Sequence, residues 1–182
     1  VTTGIESAEP LLIESDDSLL GAMAGAVFSA DRTYRYVLTR TWDATLPVMT
    51  LIGLNPSKAN AFRSDPTARR FMGFARREGC GGYAAVNVFA LAATDPRDLT
   101  ASADPVGPAN DQFIEMHTKG AHLVVAAWGA GGALNGRGRE VGERLTEAGV
   151  PLKCLGVTSA GHPRHPLYVK SDAPLVPWQV PS

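Results

Sequence analysis

Cysteine is scarce. Cys80 and Cys154 are the two thiols in 182 residues, too few for a disulfide framework. The expectation is a pair of reduced, mostly buried thiols in a cytoplasmic protein. Neither sign of charge dominates: 17 Lys and Arg against 18 Asp and Glu give a formal net charge of −1. No overall basic field draws this chain to nucleic acid, and any such binding needs a local patch. No apolar run reaches the span of a bilayer. The longest, LLGAMAGAVFSA at 19–30, is short and rich in small residues, so no membrane partner is expected. Residues 1–18 carry acids and no basic stretch, so no signal peptide is expected in them. No internal repeat or low-complexity tract stands out.

What is present is an apolar fraction of 45% with 19% charged residues, as in globular chains. The length suits one domain with a sizeable core. The 19 glycines and 13 prolines lie between apolar runs, as in a loop-rich α/β domain. Residues 1–18 are expected to form a flexible or loosely docked arm, and 19–182 a single domain.

The runs alternate between two periods. RTYRYVLTRTW at 32–42 alternates apolar and polar residues, which suits a half-buried or edge strand. PVMTLIGL at 47–54, GYAAVNVFAL at 82–91, AHLVVAAWG at 121–129 and PLKCLGVT at 151–158 are continuous apolar runs, the mark of strands covered on both faces. Between them, 65–79 places Phe71, Phe74 and Ala75 on one helical face. A helix is predicted from Asn110 or Asp111 to Lys119, and an amphipathic one over 137–149. A long proline-broken connection fills 94–111. The alternation predicts an α/β fold: one central, mostly parallel, four- or five-stranded sheet with helices on both faces. Ligands of such sheets bind beyond the carboxyl ends of the strands, and polar residues stand there.

GLNPS at 53–57 is the first. Pro56 biases Asn55 toward extended geometry, so a carboxamide rides on a stiff turn with a donor and an acceptor to offer. It either satisfies the turn's own backbone or faces a ligand. With it, Gly53, Leu54, Pro56 and Ser57 become candidate binding residues. SDPT at 64–67 opens the arginine-rich helix. That end either holds an anion or is capped by Ser64 or Asp65, its arginines solvated; Asp65 is a candidate contact. Asn87 lies inside an apolar strand and must find partners. It either braces the next loop or turns its amide to a ligand. Asp95 and Asp98 are expected to cap turns. AWGAGG at 126–131 lacks the lysine and hydroxyl of a phosphate loop; its glycines permit a tight turn and close approach of a ligand, with Trp128 as core or pocket wall and Gly129 beside it. GHPRHPLY at 161–168 holds two histidines, each before proline, on a rigid loop. That spacing does not suit a zinc site, and neither metal nor cofactor is expected. A histidine fixed there can donate to an oxygen that gains charge; the other is expected to pack under the loop. Arg164 and Lys170 add local positive charge.

These motifs carry two resemblances. From Arg35 to Trp178, the order LNPS, DPT with an arginine-rich helix, VNVFA, DP with a following ND, AWG and HPLY resembles a bacterial domain family of unknown function. The layout is also similar to the uracil-DNA glycosylase superfamily. GLNPS is like the GINPG of its mismatch-specific branch, HPRHPLY is like its late His-Pro-Ser-Pro-Leu motif, and VVAAWG is like its LLWG. That similarity implies a three-layer sandwich around a parallel sheet. It implies a hydrolase of a nucleobase N-glycosidic bond, in DNA or in a small nucleoside or nucleotide. By the same similarity Asn55 positions the water, His165 or else His162 stabilises the departing base, and Phe71 or Phe89 stacks on it. The chain departs from the pattern where a serine should follow His-Pro: Arg164 and Leu167 stand there instead. The near-zero charge also fits a small ligand better than DNA scanning. The rival expectation is a binding module that holds a nucleotide or nucleic-acid end with Asn55, Arg164 and His165, without chemistry.

Overall fold

The computed structural model describes residues 10–19, 22–57 and 66–181. Its strands are β1 (Leu11–Leu19), β2 (Ala22–Ser29), β3 (Arg35–Thr41), β4 (Val48–Gly53), β5 (Gly82–Asn87), β6 (Leu123–Ala126), β7 (Leu152–Cys154) and β8 (Val176–Pro177). The helices are α1 (Pro66–Arg77), α2 (Pro96–Ala101), α3 (Asn110–Thr118) and α4 (Arg137–Glu147), with 3-10 turns at Ala130–Gly136 and Pro166–Tyr168.

All eight strands form one sheet in the order β1-β2-β3-β5-β4-β6-β7-β8. Four of its seven pairings are antiparallel, namely β1 with β2, β2 with β3, β3 with β5, and β7 with β8. The three pairings among β5, β4, β6 and β7 are parallel. This corrects the expected four- or five-stranded, mostly parallel sheet, and with it the glycosylase-like three-layer sandwich. The sheet is mixed and nearly twice as wide. The physical reason lies in composition. AMAGAVFS in β2 is built of small residues with little strand signal. Its smallness serves close pairing: a Cβ at Gly25 would lie 2.7 Å from Thr39 Oγ1 on β3. Residues 11–18, expected within a loosely docked arm, belong to the edge strand β1. At the opposite edge β8 contains Pro177, which is tolerated there because an edge strand need not donate on both sides.

Strand alternation divides the interior into two cores. On one face Met49, Leu51, Tyr83 and Ala85 pack with Phe71, Phe74 and Ala75 of α1. On the other, Ile52, Ala84 and Val86 pack with Phe113 and Ile114 of α3 and with Val141 and Leu145 of α4. The connection over 94–111 is not structureless: Asp95 accepts from the Arg97 amide and caps α2, whose first residue is Pro96. Cys80 and Cys154 are buried and unbridged, and burial raises both thiols above their ordinary value. Among the described residues, no helix is long and apolar enough to cross a membrane.

Candidate functional site

The carboxyl ends of β4 and β5 leave the sheet side by side, and their exits stay paired. Val88 N donates to Gly53 O and Phe89 N to Leu54 O, at 3.0 and 2.9 Å. Ala93 N then donates to Pro56 O at 2.9 Å. Asn55 closes this exchange: its Nδ2 donates to Ala93 O at 2.8 Å and to Pro56 O at 3.1 Å. The carboxamide therefore braces its own loop with its hydrogens, and the carbonyl oxygen Oδ1 is the group that remains to accept from a water or ligand.

The histidine loop is fixed from three sides. Gly129 N donates to Pro163 O at 2.8 Å, Arg164 N to Gly156 O at 2.9 Å, and Trp178 Nε1 to Gly161 O at 3.0 Å. From the fourth, Arg70 of α1 donates through Nε to Pro166 O at 3.1 Å and through Nη2 to Val169 O. Arg77 donates to Ala173 O at 2.7 Å and Ser171 O at 3.2 Å. Neither of the roles expected for the α1 arginines, anion binding or exposure to solvent, describes Arg70 and Arg77, which hold the backbone of the C-terminal segment. His165 Nδ1 accepts the Leu167 amide at 3.3 Å, so in the neutral ring the hydrogen sits on Nε2.

The two loops meet. Leu54, Asn55 and His165 line two adjoining chambers. The inner one, of ≈ 90 Å³, lies against α1 and is walled by Phe71 and Tyr83, with Asn87, Ser57 and Gly53 beside them. The outer one, of ≈ 420 Å³, is walled by Trp128, Gly129 and Gly131 and rimmed by Thr158, Arg164 and Tyr168. Glycine is required at one of these places and closely packed at a second. Gly129 sits at φ 69° and ψ −167°, a region almost closed to other residues, and a Cβ there would lie 3.3 Å from His165 Cβ. A Cβ on Gly131 would lie 2.6 Å from the Leu54 side chain.

Asn87 is a buried polar residue lining the inner chamber. It is 8% exposed, and its carboxamide makes no hydrogen bond to a described residue. A Cβ on Gly53 would come within 2.7 Å of its Oδ1. Behind it the backbone is clamped: Asn110 Nδ2 donates to Asn87 O at 3.0 Å and Val88 O at 3.2 Å, and Arg137 Nε donates to Val88 O at 2.9 Å. Of the two roles left open for Asn87, bracing falls to its backbone carbonyl, and the side chain faces the chamber.

Not every expected residue arrives. Phe89 is fully buried in the core of the α3 and α4 face and lines neither chamber. His162 also lines neither; its amide and carbonyl are tied to Thr158 Oγ1 and Thr158 N. Pro56 is buried and contributes its carbonyl to the loop. Asp65 and Ser64 lie outside the described residues. Conversely, Arg35, Tyr83, Thr158 and Tyr168 line the chambers without having been singled out. Tyr168 had a signal, the final letter of HPLY, whereas Arg35 and Tyr83 reach the site only through strand pairing. Among the described residues no cluster of three His, Cys, Asp or Glu side chains is placed to hold a metal.

Residues 35–167 match the family described as "Protein of unknown function (DUF1643)", and the chain belongs to that family. No curated protein and no solved structure matches the chain.

Proposed function

We propose that this member of the DUF1643 family is a hydrolase of a nucleobase N-glycosidic bond, acting at the two-chambered cavity. The observation that carries the proposal is that Asn55 and His165, more than a hundred residues apart in sequence, line the same pair of chambers. The chemistry divides between them. Asn55 Oδ1 accepts a hydrogen bond from a water and holds it toward the anomeric carbon. Asparagine is too weak a base to take a proton in the transition state, so its contribution is positioning. The C–N bond breaks with its electron pair on the base, and the sugar becomes oxocarbenium-like. His165, with its hydrogen on Nε2, donates to the base oxygen where that charge gathers. Water adds to the sugar carbon and loses its proton to solvent. Asn87 offers a donor and an acceptor to the ring edge, and Phe71 supplies an aromatic wall.

The test is release of free base from a panel of nucleosides, nucleotides and modified oligonucleotides. The intact protein should cleave at least one substrate, and Asn55→Ala and His165→Ala should each abolish that cleavage. A second reading is favoured by one observation: both Nδ2 hydrogens of Asn55 are committed to loop carbonyls. On that reading the protein is a nucleotide- or nucleic-acid-binding module with the same cavity and no chemistry. Binding without base release from any member of the panel selects it.

A further inference from the structure

We propose that the outer chamber receives the phosphate of a nucleoside 5′-monophosphate on Arg164, so that the ligand of this site is a mononucleotide rather than an uncharged nucleoside. This rests on the reading of the cavity as a nucleobase site, and holds whether or not the bond is cleaved.

Three observations support it. The first is charge. Among the described residues Arg164 is the one Lys, Arg, Asp or Glu lining the outer chamber, Arg35 lines the inner one, and no carboxylate lines either. Several other arginines meet acids: Arg77 pairs with Glu78, Arg97 with Asp95, Arg139 with Glu143, and both Arg137 and Arg144 with Asp111, while Arg70 is spent on backbone carbonyls. In a chain of net charge −1, a cation in a cavity wall with no described carboxylate beside it is a local arrangement that favours an anion.

The second is preorganisation. Arg164 Nε donates to Val157 O at 2.9 Å, and its backbone amide is bonded to Gly156 O. The guanidinium is thereby oriented before any ligand arrives, while its terminal amines make no bond to a described residue. They are the pair that matches two phosphate oxygens. Beside them, Thr158 Oγ1 accepts the His162 amide at 3.2 Å, which leaves its own hydrogen to donate.

The third is size. The outer chamber, at ≈ 420 Å³, falls in the usual range for small-molecule sites. The inner one, at ≈ 90 Å³, is smaller than the roughly 150 Å³ cavity known to hold a benzene ring. It therefore takes the polar edge of a ring, against Asn87, while the rest of one nucleotide fills the outer chamber. A polynucleotide needs several phosphate contacts for its affinity, and this rim presents one described cation.

The test uses calorimetric titration of the full chain with the common ribo- and deoxyribonucleosides, their 5′-monophosphates and a short single-stranded oligonucleotide. For at least one base, the monophosphate should bind about tenfold tighter than its nucleoside, as a charge-assisted pair supplies. Added salt should shrink that advantage. In Arg164→Gln the ratio should fall to about twofold or less, on the same scale. The proposal is overturned if nucleoside and monophosphate bind alike, if R164Q keeps the advantage, or if the oligonucleotide outbinds every monophosphate by about tenfold or more. Base release, followed in the same samples, separates this from the hydrolase reading. A bound monophosphate left intact supports the phosphate site and refutes hydrolysis of that monophosphate. Equal binding with release of base refutes the phosphate site and supports hydrolysis. No binding of any probe refutes both.

Discussion

Two hollows of this molecule invite comparison. One is the double chamber between the exits of β4 and β5 and the histidine loop. The other is a groove of ≈ 250 Å³ between α3 and α4, lined by Asp111, Glu115, Arg144 and Glu147 among others. Both are partly apolar, and both contain arginine. In the groove Arg144 meets Asp111, which also bridges the buried Arg137 outside the lining, and Glu140 lies 3.0 Å from Arg137. Burial pushes the Asp111 carboxyl up, but the bonds and charges of Arg137 and Arg144 outweigh it and hold the group below the ordinary carboxylate range. In the double chamber Arg164 has no described acid opposite it, and the Asn87 carboxamide has no hydrogen-bond partner among the described residues. Polar groups that satisfy one another belong to the fold, whereas polar groups left over at a cavity mark a candidate binding site.

The contrast can be broken most directly at His165. If the double chamber catalyses, His165→Ala lowers base release by about 10²–10³-fold with little change in the urea midpoint. Asn55→Ala lowers release similarly and also costs about 1 kcal/mol of stability, because the hydrogen bonds to Ala93 O and Pro56 O go with it. An Asn55→Ala protein that loses stability but keeps its full rate would leave Asn55 with the structural role alone.

The groove should answer in the opposite currency. Arg137 is 3% exposed, and Arg137→Met removes a buried cation from Asp111 and Val88 O. The expected loss is about 3 kcal/mol in urea unfolding. Asp111 is 37% exposed, so Asp111→Asn should cost less, on the order of 1 kcal/mol at neutral pH. The native carboxyl titrates below its unfolded value, so its contribution is present above the unfolded value and fades as pH falls through the native one. A plot of urea midpoint against pH should therefore lose part of its acid slope in D111N.

The smallest effect is the sharpest discriminator. Asn87→Leu removes a carboxamide that bonds nothing described and should leave stability unchanged or raise it by up to about 1 kcal/mol. Ligand affinity should fall by about tenfold, the equivalent of one lost hydrogen-bonded edge. A destabilised N87L protein would show that the carboxamide holds the fold, and the contrast between the hollows would weaken.

The sequence carried the positions of β4, β5, β6, α1, α3 and α4, because continuous apolar runs and helical stripes survive without knowledge of neighbours. Of the antiparallel wing it showed β3, as an alternating run, and hid β1 and β2, because AMAGAVFS owes its strand state to pairing with β1 and β3 rather than to its own side chains. The short β8 is likewise a product of what it lies against. The site divides the same way. Asn55, Asn87, Gly129 and the histidine loop follow strand ends and could be named from the chain alone. Tyr83 and Arg35 lie on strands, and which of their neighbours opens into a chamber is fixed by the register of β3, β4 and β5. His162 and His165 share a local pattern, His-Pro, and differ only in what lies across from each.

The hold of Arg70 and Arg77 on the C-terminal segment has a consequence for how this chain can vary. Each guanidinium grips peptide oxygens, which every amino acid supplies. The grip on 166–173 therefore does not depend on which side chains that stretch carries, although Val169 and Ala173 also pack against the core on the α1 face. The grip itself tolerates no such drift: a lysine at 70 offers a single point of attachment where a fork spans two, and the loop bearing His165 would swing with it.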